Sequence, residues 1–143
     1  MIMNSSTLTL LLKVAGLLHL GLLCAGLLMP RVVGLRAHLA TLPRFIRRLF
    51  WVYYVFIGLC LVSFGLLTFT FAGTLAEGST LARALCLFLA AFWALRLIAA
   101  TFVFDLSPYL TNLYRRIGYH AINLVFVYLP VVYVFAVCKG ARP

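Results

Sequence analysis

One arginine, Arg96, stands near the middle of Leu85 to Asp105, LCLFLAAFWALRLIAATFVFD, an otherwise apolar run long enough to cross a bilayer. A hydrocarbon core of about 30 Å takes about 20 helical residues, and an arginine at its centre costs about 2.5 kcal/mol even on the lenient insertion scale. The chain holds only two carboxylates, Glu77 and Asp105. Asp105 lies about 13 Å further along the same helix and on roughly the opposite face, so it cannot pair with Arg96 within that helix. Two chemistries remain. Arg96 either bonds to Asn123, a tyrosine hydroxyl and backbone carbonyls as a lock between helices, or it meets an anion the chain lacks. A lipid phosphate, a haem propionate or an acidic amphiphile would supply that charge.

His19 is the second candidate. Gly16, His19, Leu23 and Gly26 follow 3-4-3 spacing and share one helix face, on which the glycines allow close helix approach. His19 therefore points at a neighbouring helix, either as a packing histidine bonded to a carbonyl or as a ligand for a metal or polar head. Counted from the ends of their apolar runs, His19 and Arg96 lie at similar depth, about 14 Å from one face. His120 and Asn123 are shallower on that side, with Tyr119, Tyr109 and Tyr54 nearer the mouth. The expected site is a pocket in the cytoplasmic half, lined by the first, third and fourth spans and narrowing onto Arg96 and His19. Within it His120 is structural or a proton relay, and His38 is interfacial. Pairing His19 with His120 as the two axial ligands of one haem is disfavoured, since their depths differ by about 6 to 9 Å.

These residues need spans to carry them. The chain of 143 residues is 66% hydrophobic and 10% charged, with a mean hydropathy of +1.15. That leaves too little polar surface to cover a soluble core, and the expectation is an integral membrane protein. The formal charge of +10 sits at the ends of apolar runs rather than on one basic face, which argues against nucleic acid. Cys24, Cys60, Cys86 and Cys138 show no CxxC and no Cys/His metal spacing. Free thiols are expected, a bridge between Cys86 and Cys138 near the outer face being the alternative.

Four spans are expected, at about 7–29, 49–71, 82–105 and 117–137, in one transmembrane domain over 1–143. The first has no basic segment ahead of it, and Leu23 stands where a lipoprotein signal needs a small residue, so a retained helix is read rather than a cleaved signal. Pro30 is expected to end it. Between Arg31 and Arg48, Val32, Leu35, Leu39 and Leu42 recur at helical intervals, which suits a short helix in the headgroup plane. Trp51, Tyr53 and Tyr54 open the second span at the interface, and Tyr54, Gly58, Leu61 and Gly65 form a second small-residue seam. AGTLAEGST reads as an outer turn, with Thr80 capping the third helix. Pro130 is tolerated as a kink in the fourth. Arg31, Arg36, Arg44, Arg47, Arg48, Arg115 and Arg116 on one side outnumber Lys13, Arg83, Lys139 and Arg142 on the other, which puts both termini outside the cytoplasm.

From Lys13 to Leu49 the order Lys13, Leu18-His19, Ala25-Gly26-Leu27, Pro30-Arg31 and Arg47-Arg48-Leu49 resembles the start of the small four-helix membrane protoporphyrinogen oxidases and the related copper-resistance D-type proteins. The resemblance implies a four-helix bundle binding haem b, with His19 as the first-helix ligand. The third helix departs from that pattern in carrying Arg96 and no histidine or lysine.

Other reaction classes find little support: the sequence has no Ser/His/Asp set, no glycine-rich phosphate loop and no carboxylate pair. The expectation is therefore an all-α antiparallel four-helix bundle in a cell inner membrane. It would bind an amphiphilic anionic ligand, haem or lipid, through His19, Arg96, His120, Asn123, Tyr119 and Tyr54. The competing classes are a non-catalytic accessory subunit of a larger membrane assembly, with membrane-protein partners or further copies of itself, and an oligomeric anion channel lined by Arg96.

Overall fold

Four apolar runs flanked by arginines and prolines fold as four long helices. The computed structural model describes residues 4–103 and 112–140. In chain order these residues form α1 (Ser5–Val32), α2 (Leu35–Ala40), α3 (Arg44–Thr70), α4 (Ala72–Glu77), α5 (Thr80–Phe102) and α6 (Leu113–Gly140), with no strand among them. Helices α1, α3, α5 and α6 are long and apolar enough to cross a membrane. The chain is an all-α, multi-pass integral membrane protein. Lys139 Nζ donates to Ser5 Oγ at 2.7 Å, so α6 ends beside the start of α1. Asp105 and Tyr109 lie outside the described residues.

Helix boundaries differ from the sequence reading where backbone chemistry outweighs composition. Pro30 does not end α1, which continues to Val32. Proline has no N–H, so the Gly26 carbonyl four residues back loses its intrahelical donor. The Tyr54 hydroxyl of α3 donates to that carbonyl instead. Pro43 sits at the N-cap of α3, and the helix starts at Arg44 rather than Leu49. The outer turn contains a helix, α4, because Ala72, Leu75 and Ala76 fall at i, i+3 and i+4 and bury one face against the bundle end. Gly78 ends it in the left-handed conformation at φ 78°. Ser79, not Thr80, caps α5: its Oγ accepts from the Ala82 N–H at 3.3 Å.

α1 lies between α3 and α6, and α5 pairs chiefly with α6. The two small-residue seams meet face to face. Tyr54 touches Gly26, Gly58 lies against Leu23, and Gly65 lies against Gly16 and His19. The apolar core runs from Leu8 and Leu12 on α1 through Leu89 and Trp93 on α5 to Leu129 and Tyr133 on α6. α3 buries only Gly65 and Thr68 and turns most of its surface outward. All four cysteines are free; Cys86 is buried and Cys138 exposed.

At Gly16 a Cβ would stand 2.7 Å from Phe69 Cβ and 2.8 Å from Phe69 N, and at Gly65 it would stand 2.9 Å from His19 Cβ. Gly16→Ala and Gly65→Ala should each lower stability by about 1–3 kcal/mol in detergent unfolding titrations, because the backbones must separate. Gly21→Ala meets nothing within 4 Å and should be neutral or slightly stabilising.

Candidate functional site

The seam that brings α1 against α3 also carries His19 into the centre of the bundle. With Gly65 opposite, no side chain competes for the space, and His19 is completely buried. One residue from each of the other long helices surrounds its ring: Phe64 of α3 at 6.5 Å between centroids, Trp93 of α5 at 5.1 Å and Tyr133 of α6 at 6.4 Å, all edge-on.

Hydrogen bonding determines the tautomer. His19 Nδ1 lies 2.7 Å from the Ala15 carbonyl oxygen. A carbonyl only accepts, so Nδ1 carries the proton. The Trp93 indole nitrogen, which only donates, gives its N–H to His19 Nε2 at 3.1 Å. His19 is therefore held as a neutral Nδ1–H ring with both nitrogens engaged by its own chain. The lone pair that would bind a metal is the one that accepts from Trp93.

Arg96 occupies a different place. It is exposed on the bundle's outer surface, with its guanidinium carbon 5.0 Å from the centroid of the Phe126 ring. Phe126 in turn stacks on Trp93 at 5.8 Å and 27°. Arg96 and His19 thus stand at opposite ends of a short series of rings, Phe126 and Trp93. Between them lie Trp93, which is 2% exposed, and Phe126, which is 7% exposed.

His120 is exposed, with its ring edge-on to that of its sequence neighbour Tyr119 at 5.4 Å. Asn123 is half-buried, and no hydrogen bond joins it to Arg96 or to another described residue. Tyr54 uses its hydroxyl on the Gly26 carbonyl. Among the described residues no group of three or more His, Cys, Asp or Glu side chains could hold a metal ion. At the far end Arg83 lines an open groove of about 290 Å³ with Thr80, Ala84, Leu87 and Val137, room enough for water.

Sequence reasoning missed Trp93 and Tyr133. A buried tryptophan or tyrosine brings an N–H or O–H that must find a partner. Tyr133 meets that need with Thr68, whose Oγ1 lies 2.8 Å from its hydroxyl, joining α6 to α3. Tyr128 donates to the Leu11 carbonyl at 3.0 Å, joining α6 to α1. No family model, curated protein or solved structure matches the chain.

His19→Ala and Trp93→Phe should be strongly non-additive. Measured by unfolding in mixed micelles, the coupling should fall between about 0.6 and 1.7 kcal/mol, the range for hydrogen bonds between membrane helices. A cycle with no coupling would show that the indole–imidazole bond does not hold α1 to α5.

Proposed function

We propose that this chain is a non-catalytic structural or accessory membrane subunit. Its interior polar groups join its helices, and its outer faces meet lipid and other membrane helices. The observation that supports this reading most strongly is the engagement of both His19 nitrogens by Ala15 and Trp93. A group reserved for chemistry would keep a lone pair or a proton available to a substrate; this one holds both in place. The outer faces offer the partner surface: Phe69, Phe71, Phe88 and Phe102 are all exposed. With the arginine-rich end in the cytoplasm, both termini face outside an inner membrane.

A second reading, binding of an anionic amphiphile, draws on the outward placement of Arg96 over Phe126. Such a ligand would approach from the bilayer, its charge at the guanidinium and its apolar body along α5 and α6. Haem b is its named candidate, and His19 would then have to exchange Trp93 for iron.

The two readings separate on an absorption spectrum of the protein purified in mild detergent from cells supplied with haem precursor. The structural reading expects no Soret band. A Soret band that vanishes in His19→Ala would overturn it in favour of the second.

A further inference from the structure

Five arginines fall between residues 31 and 48, where α1 ends, α2 lies and α3 begins, and three of them crowd one turn. Arg44, Arg47 and Arg48 occupy positions i, i+3 and i+4 at the very start of α3, so they share one helix face. Like charges at that spacing repel, and they stand at the positive end of the helix dipole, where cations are disfavoured. The first turn of α3 holds no acid, and its N-cap, Pro43, offers no side-chain acceptor. Among the described residues, neither these three arginines nor Arg36 on α2 makes a hydrogen bond or ion pair. Arg36, Arg44 and Arg48 are exposed and Arg47 is half-buried.

The same stripe changes character as it descends. Trp51 and Tyr54 continue it one and two turns further on, and their rings meet edge-on at 5.5 Å. Phe50 stacks on Tyr54 at 6.2 Å. The Tyr54 hydroxyl, bonded to the Gly26 carbonyl, fixes this ring platform against α1. Cations uppermost, amphipathic rings beneath and apolar helix below reproduce the order of phosphate, glycerol and acyl chain in a phospholipid.

We infer that the Arg44, Arg47 and Arg48 face, floored by Trp51 and Tyr54, binds the headgroup of an anionic phospholipid from the bilayer. The phosphate takes the arginine face and removes the mutual repulsion at the start of α3. The glycerol region rests on the ring platform. This site is separate from His19 and Arg96, and it stands whichever reading of those residues holds.

The test uses the full chain in vesicles of phosphatidylglycerol and phosphatidylcholine mixed at fixed ratio, with bromine on the acyl chains of one lipid at a time. Bromine quenches a tryptophan in contact with it, and the difference between wild type and Trp51→Phe isolates Trp51 from Trp93. Trp51 should report an apparent affinity about three- to tenfold higher for phosphatidylglycerol. The preference should shrink in high salt. It should vanish in the Arg44→Gln/Arg47→Gln/Arg48→Gln variant and persist in Arg83→Gln/Lys139→Gln at the opposite end. Equal quenching by the two lipids in wild type would overturn the proposal without any arginine variant. A preference that survives the triple change, or is lost in the opposite-end control, would overturn it as well.

Discussion

Inside a bilayer a histidine ring has no water to answer its two nitrogens, and a buried polar group left without a partner destabilises by several kcal/mol. This fold meets that constraint at one point where all four long helices converge. The Ala15 carbonyl takes the proton of His19 Nδ1, and the Trp93 indole supplies a donor to Nε2. Each bond fixes more than one element. The first orients the ring on α1; the second sets the depth at which α5 packs, since Trp93 must bring its N–H level with His19. Phe64 and Tyr133 close the remaining sides.

Similar accounting explains other contacts between helices. Pro30 removes the donor for the Gly26 carbonyl, and Tyr54 replaces it from α3. The Tyr133 hydroxyl meets Thr68 and the Tyr128 hydroxyl meets the Leu11 carbonyl, tying α6 to α3 and α1. Small residues make these reaches short enough: without Gly16 and Gly65 the α1 and α3 backbones would separate, and His19 would have space beside it. Arg96 follows from the same packing. With Trp93 turned inward, the arginine three residues on emerges beside it, and its head rests over Phe126. A cation on an aromatic face in a medium that excludes water is stabilised by about 2 kcal/mol, which offsets much of the cost of placing it there.

The bundle was legible in the sequence because its signals are periodic. Gly16, His19, Leu23 and Gly26 predict one face of α1, and Tyr54, Gly58, Leu61 and Gly65 predict one of α3; these faces meet. The site was much less legible. His19 pointing inward follows from that spacing, but its partner depends on the rotation of α5, and the apolar run from Leu85 to Phe102 carries no stripe that fixes rotation. Arg96 stands out in the sequence because a mid-span charge is costly; the structure places it on the outer surface over Phe126. The sequence places Tyr54 near a mouth, while its hydroxyl donates to the Gly26 carbonyl that Pro30 leaves without an N–H. Asn123 and His120 share a helix with Phe126, yet it is the phenyl ring that meets the guanidinium.

The central claim is that His19 is a structural junction with both nitrogens in use. Nitrogen-15 NMR of the protein in lipid nanodiscs tests it most directly, through the ring shifts of His19 and scalar coupling across a hydrogen bond to the Trp93 indole. The account predicts a neutral ring protonated at Nδ1, with a coupling between Trp93 Nε1 and His19 Nε2. A ring protonated at Nε2, or an indole nitrogen coupled to nothing, would contradict it.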